Sequence, residues 1–165
     1  MIIRPLSTQD KEKISELLWS TDTFNQMEIR VAIELIDETL SYPERQDYQI
    51  FCAFDGGGEL AGYICFGPVP MTNGCYDLYW IAVDEKFSRR GVGRGLLQYM
   101  EDIVKGKKAR HIYIDTSSTP PYEAARSFYE KCGYKPVCVL RDFYRVGDHK
   151  MIFMKEINRA ETPYS

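Results

Sequence analysis

The sequence predicts an α/β protein, a mixed sheet with helices on its faces, and three observations lead there. Apolar periodicity switches between strand-like and helix-like segments in the order strand, two helices, three strands, helix, strand, helix, two strands. The 165 residues, 44% hydrophobic and 27% charged, are enough for one well-filled core and few for two. A buried-strand pattern ending at Trp80-Ile81-Ala82-Val83 runs through a short loop into an amphipathic helix whose start carries Gly91, Gly93 and Gly95 at alternate positions. A single domain is expected over residues 1–158, with 159–165 as a short C-terminal tail.

Taken in order, Ile2-Ile3-Arg4-Pro5-Leu6 reads as a first strand, and Ser7 or Thr8 can cap a helix carrying Ile14, Leu17 and Leu18 at near-helical spacing. In residues 26–40, Ile29, Ala32, Ile33, Ile36 and Leu40 form one apolar face, and Tyr42-Pro43 ends that helix. Tyr48–Phe54 and Leu60–Gly67 are strand-like runs around Asp55-Gly56-Gly57-Gly58-Glu59, which is hairpin punctuation. The loop Pro68–Gly74 leads into a strand at Cys75–Val83, and the glycine-started helix runs to about Lys108. His111–Asp115 is a fifth strand. Pro120-Pro121 precede a helix from about Tyr122 to Cys132, stopped by Gly133. Val137–Leu140 and Met151–Met154 finish the chain as strands around a polar link, Gly147-Asp148-His149-Lys150.

Composition narrows the function. A formal charge of −3 gives no bulk attraction to nucleic acid or to an anionic membrane, so neither is expected as a partner. No run approaches the length of a membrane span and the first residues show no apolar signal core, so a cytoplasmic protein is expected. Cys52, Cys65, Cys75, Cys132 and Cys138 are odd in number, lack a Cys-x-x-Cys pair and mostly sit in apolar runs, reading as small buried hydrophobes in a reducing compartment. No metal-ligand spacing appears, and no metal is expected.

The glycine stretch carries the chemistry. Where a strand hands over to a helix, glycines let backbone N–H groups approach a ligand, and the helix dipole favours an anion there. Arg89, Arg90 and Arg94 add positive charge, so an anionic cofactor carrying a pyrophosphate is the expected ligand. Two nucleotide readings fail. A dinucleotide fingerprint needs Gly where the chain has Leu96, and a Walker loop needs Lys and then Ser or Thr where it has Leu96-Leu97.

The stretch resembles the acyl-CoA loop of the GNAT superfamily of N-acetyltransferases: Gln or Arg, two residues, Gly, any residue, then Gly or Ala. Two registers fit: Arg90 followed by Gly93 and Gly95, or Gly91-Val92-Gly93 with Ser88 in the leading place. The second is preferred because it puts Val92, Leu96 and Leu97 on the apolar face of the helix. A second segment, Glu123-Ala124-Ala125-Arg126-Ser127-Phe128-Tyr129-Glu130-Lys131-Cys132-Gly133-Tyr134, is similar to the family's Ala-x-x-Phe/Leu-Tyr-x-x-x-Gly-Phe/Tyr motif. Element order and both motifs extend the resemblance over nearly the whole chain, implying a single-domain, mostly antiparallel seven-stranded sheet flanked by about four helices.

The resemblance implies direct transfer of acetyl from acetyl-CoA to a primary amine on a small molecule or peptide. Direct attack is favoured because no Cys neighbours a plausible His or carboxylate in the sequence. An alkylamine of pKa about 10 is neutral in only about one molecule in a thousand at pH 7, so a carboxylate base is useful. Asp77, four residues before Ile81, has an offset similar to the family's catalytic Glu in the histone-acetyltransferase branch; a solvated strand-start carboxylate is the plainer alternative. Tyr129 would protonate the leaving thiolate, against the alternative of a core tyrosine. Backbone N–H groups near Ile81, Ala82 and Val83 would polarise the acyl carbonyl. The cofactor side would comprise these three, Arg89, Arg90, Gly91, Val92, Gly93, Arg94 and Gly95, with Tyr122 and Arg126 from the second segment. Tyr122 stands where the family commonly has Asn. In the family, segments similar to Asp142-Phe143-Tyr144 and the Pro68–Gly74 loop border the acceptor, and an exposed terminal strand pair often mediates a homodimer. A non-catalytic acyl-CoA-binding module and a plain interaction domain are the competing readings.

Overall fold

The computed structural model describes residues 1–158, and the tail expected at 159–165 lies outside them. Seven strands form one sheet: β1 (Ile2–Pro5), β2 (Gln49–Phe54), β3 (Leu60–Pro68), β4 (Cys75–Val83), β5 (His111–Ser117), β6 (Lys135–Arg145) and β7 (Asp148–Glu156), in the order β1-β2-β3-β4-β5-β7-β6. The helices are α1 (Lys11–Ser20), α2 (Gln26–Ser41), α3 (Val92–Gly106) and α4 (Glu123–Lys131). β4 and β5 pair in parallel; β1 with β2, β2 with β3, β5 with β7 and β6 with β7 pair antiparallel. A parallel pair requires a crossover, and α3 supplies it. The described residues form two compact units, Met1–Gly67 with Tyr79–Met100, and Pro68–Leu78 with the described residues from Glu101 onward.

In the first unit, Ile14, Leu17 and Leu18 of α1 and Ile29, Ala32 and Ile36 of α2 are buried against Ile50, Cys52, Phe54, Tyr63 and Cys65. The helices start where side chains can close them. Asp10 lies before α1 and its carboxylate accepts from the Ser7 N–H and hydroxyl and, through both oxygens, from Arg4. The Asn25 side chain accepts from the Glu28 N–H while the Glu28 carboxylate accepts from the Asn25 N–H, a reciprocal capping box that opens α2. Burial alone would raise the Asp10 carboxyl, but its bonds to Arg4 and Ser7 outweigh it and hold the group below its ordinary value.

In the second unit, α4 presents Tyr129 to Phe153 of β7 and to Tyr134, with ring centroids 6.1 and 6.4 Å away. Glu101 is buried beneath them; it accepts from the Tyr134 hydroxyl at 3.0 Å and from Lys155 Nζ at 2.8 and 2.9 Å. A buried carboxylate is tolerable only with such partners.

Three expectations need correction. The polar residues 148–150 belong to β7 rather than to a link, and the turn is Val146-Gly147. They suit a strand because β5 and its end meet them with polar groups: the Ser117 hydroxyl donates to the buried Asp148 carboxylate, Ser118 Oγ accepts from the His149 N–H, and Asp115 pairs with Lys150. β6 runs over Lys135–Arg145 and is exposed along its whole length, so apolar alternation marked only its middle. Cys138 is accordingly exposed, unlike Cys52 and Cys65, whose thiols burial pushes up to about 12.

Candidate active site

The loop into α3 lies wholly in the first unit. A 3-10 turn at Glu85–Phe87 follows β4, and the chain then passes through left-handed backbone at Arg89 (φ 60°) and Gly91 (φ 81°). A side chain at Gly91 would meet no atom within 4 Å, so its glycine answers to backbone conformation and leaves open space over the loop. At Gly95 a Cβ would meet the end of the flexible Met1 side chain, which can move aside. Val92, Leu96 and Leu97 are buried and form the apolar face of the helix start.

The Gly95 N–H is the first in α3 to reach a carbonyl one turn back, that of Gly91, at 2.9 Å. The N–H groups of Val92, Gly93 and Arg94 therefore open the helix without backbone acceptors. Arg89, Arg90 and Arg94 are exposed and form no ion pair among the described residues; the Arg90 guanidinium lies 5.7 Å from the Phe87 ring centre. Free donors, a dipole end and uncompensated cations fit a pyrophosphate.

Nearby on the chain, Ile81 and Val83 are half-buried and Ala82 is buried. Trp80 packs on Phe24 at 5.9 Å and Tyr79 on Tyr48 at 5.3 Å, so part of the aromatic set fills this unit's core. Trp80 Nε1 and the Tyr63 hydroxyl are buried and have no hydrogen-bond partner among the described residues, which hydrophobic pattern alone did not foretell.

The second unit holds the other candidates. β4 and β5 pair from Cys75↔His111 to Leu78↔Ile114, which sets Asp77 beside Tyr113. Side chains two apart share a face, so Asp77 looks along the sheet toward Asp115. Asp77 is half-buried and its carboxyl is raised, by burial first and then by the Asp115 charge, with Lys150 opposing. It is therefore not a freely solvated strand-start carboxylate.

Tyr129 is 7% exposed, and its hydroxyl makes no hydrogen bond among the described residues. Burial, with a smaller contribution from Cys132, pushes the phenol above its ordinary value, so it remains protonated through neutral and mildly alkaline pH. Tyr122 precedes α4 and closes a turn through its N–H onto the Thr119 carbonyl. Arg126 Nη1 donates to the carbonyls of Ser117 at 2.7 Å and Thr119 at 3.0 Å, fixing the turn between β5 and α4. Two features escaped sequence reasoning. His111 lies directly across from Cys75 in register, although no hydrogen bond joins them among the described residues. The stretch Arg141–Tyr144 bulges between Leu140↔Lys150 and Arg145↔Asp148, with Asp142 at φ 51° and its N–H donating to His149 Nδ1.

Residues 11–134 match the model of the Acetyltransferase (GNAT) family, and the chain belongs to that family. It is similar to a Desulfovibrio desulfuricans structure assigned to the GNAT family, with 37% identity, TM-score 0.90, and coverage of 95% of this chain and 99% of that one. An aminoglycoside 6'-N-acetyltransferase complexed with coenzyme A shares the fold at 22% identity and TM-score 0.74, covering 97% and 99% of the two chains. The N-alpha-acetyltransferase RimI of Mycobacterium tuberculosis is 31% identical over 92 residues, 55% of each chain. The match thus spans about half the length of that curated relative.

Proposed function

We propose that this protein is an acetyl-CoA-dependent N-acetyltransferase that passes acetyl directly to a primary amine of a small molecule or a peptide. The observation that carries this reading is the opening of α3, where three N–H groups and three arginines, without backbone acceptors or ion-pair partners among the described residues, stand with the Gly91 loop. In this reading Arg89, Arg90, Gly91, Val92, Gly93, Arg94 and Gly95 hold the pyrophosphate, and Tyr122 and Arg126 are further cofactor-binding residues. Acetyl-CoA supplies an acyl group activated as a thioester.

Asp77 takes the ammonium proton, directly or through water, so that the neutral amine can attack the acyl carbon. Backbone N–H groups near Ile81, Ala82 and Val83 stabilise the charge that develops on the carbonyl oxygen. As the carbon–sulfur bond breaks, the Tyr129 hydroxyl gives its proton to the departing thiolate, and the proton lost by the nitrogen as the amide forms returns the phenolate to its neutral state. A raised carboxyl is a stronger base, which supports the Asp77 role, and burial keeps the Tyr129 phenol in the protonated form from which a donor must start. The names of two similar proteins, an N-alpha-acetyltransferase and an aminoglycoside 6'-N-acetyltransferase, support an amine acceptor. A cytoplasmic location agrees with five cysteines that form no disulfide. Homodimerisation is proposed through the exposed β6 and its neighbour β7.

The test is thiol release from acetyl-CoA across a panel of free α-amine peptides, aminoglycosides and polyamines. Release of CoA matched by acetylated amine supports the reading. Tight acetyl-CoA binding with no release from any amine would instead make this a non-catalytic acyl-CoA-binding module.

A further inference from the structure

Asp77 and Asp115 lie on one face of the sheet, and Asp115 is bridged there by Lys150. The antiparallel register of β5 and β7 sets Asp115 across from Ile152 and Ser117 across from Lys150, so Asp115 and Lys150 meet on a diagonal of one face. Lys150 Nζ lies 2.5 Å from an Asp115 carboxylate oxygen and 4.6 Å from the Phe143 ring centre. The ring comes from the Arg141–Tyr144 bulge of β6, so the ammonium is held from two strands. The Asp77 carboxylate has neither a salt bridge nor a hydrogen bond among the described residues.

We propose that the Lys150–Asp115 pair is a positioning device for Asp77, with Asp115 the like charge that drives it to accept a proton and Lys150 the counter-charge that keeps it ionised beforehand. The inference rests on the reading of Asp77 as the base. Removing one member of the pair should push the Asp77 carboxyl one way, and removing the other should push it the opposite way. A general change in burial or packing has no reason to produce such opposed shifts.

Other ionisable groups on this face have been placed. On β5 they are His111 and Tyr113, on β7 Glu156 stands opposite His111, and on β4 they are Cys75 and Tyr79. Arg110 reaches the Cys75 sulfur at 3.8 Å. In the β6 bulge, Asp142 is engaged with His149, and Arg141 precedes it. The neighbouring β3 carries only Tyr63 and Cys65 as ionisable groups. Asp115 stands one side chain beyond Tyr113, the residue directly beside Asp77, and carries Lys150 with it.

The experiment is a pH titration of 13C-carboxyl aspartate signals by NMR, with Asp77 identified as the signal absent from Asp77→Asn. In Asp115→Asn the Asp77 midpoint should fall, and in Lys150→Gln it should rise, each by roughly half a pH unit for charges about 7–8 Å apart at a partly solvated site. Lys150→Arg should leave it near the wild-type value. Midpoints that stay put in both variants, or move in the same direction, would overturn the inference. If the lysine variant fails to fold, an unmoved or raised midpoint in Asp115→Asn alone overturns it. The base reading fails separately, if Asp77→Asn keeps full turnover with acetyl-CoA and an amine found by thiol release, whatever the NMR midpoints do.

Discussion

The loop leading into α3 offers a ligand backbone N–H groups and unpaired guanidinium groups, whereas the face around Asp77 offers side chains that meet only because three strands hold one register. The loop needs a left-handed glycine and a helix start, both of which lie within a few residues of sequence. The face draws Asp77, Asp115 and Lys150 from positions far apart in the chain. A backbone site of the first kind should respond to substitution in ligand affinity. The second kind should respond in rate and in pH dependence.

Variants in the second unit can break that division. Tyr129→Phe removes the proposed acid while keeping the ring that packs on Tyr134 and Phe153, and kcat is expected to fall by about 10²–10⁴ with acetyl-CoA affinity unchanged. Steady-state rates beside a binding titration would separate the two effects, and lost affinity would mean that Tyr129 holds the cofactor. Because its phenol is raised, the wild-type rate should show no descending limb from Tyr129 below about pH 10.

Asp77→Asn should lower kcat/KM by roughly 10²-fold at neutral pH. In the wild type, kcat/KM should fall as pH drops through the Asp77 value, which burial and Asp115 hold above the ordinary carboxylate range, because a protonated carboxyl cannot accept. That limb should vanish in Asp77→Asn; a pH–rate profile that keeps it assigns the base elsewhere.

A smaller effect concerns the first unit's framework. Asp10→Asn breaks the bond set with Arg4 and Ser7 at a buried carboxylate and should cost about 2 kcal/mol in urea unfolding at pH 7. The folded Asp10 carboxyl sits below its unfolded value, so its contribution is present above the unfolded value near pH 4 and is lost as pH falls toward the folded one. Wild type and variant should therefore converge in stability at low pH, and a gap that persists there would assign the loss to packing. The smallest change is chemical: Cys138 should react with a thiol reagent well before Cys52 and Cys65 in the native state, as peptide mapping after a short pulse would show.

Much of the fold was legible because its signals are local. Apolar spacing marked α2, the glycine run marked the β2–β3 hairpin, and Gly91 with Leu96 and Leu97 marked the turn into α3. Asp77 and Tyr129 were legible only through family motifs, since an alternating strand and an aromatic helix residue admit plain structural roles. The pairing of Asp115 with Lys150 was not legible, because it depends on which residue of β7 lies across from Ser117. The same holds for Cys75 and His111, which adjoin through register and not through sequence. Residues 148–150 misled for a related reason: polar residues read as a link until their polar partners on and beside β5 are known.

The central claim is that the α3 opening binds the pyrophosphate of acetyl-CoA, and calorimetric titration of wild type and Gly91→Glu with acetyl-CoA tests it most directly. The wild type should bind in the micromolar range, and the variant, with a carboxylate in the open space above the loop, should lose at least about 100-fold in affinity while remaining folded by circular dichroism. Equal affinity in the two proteins, or no binding by folded, cofactor-free wild type, would contradict the account.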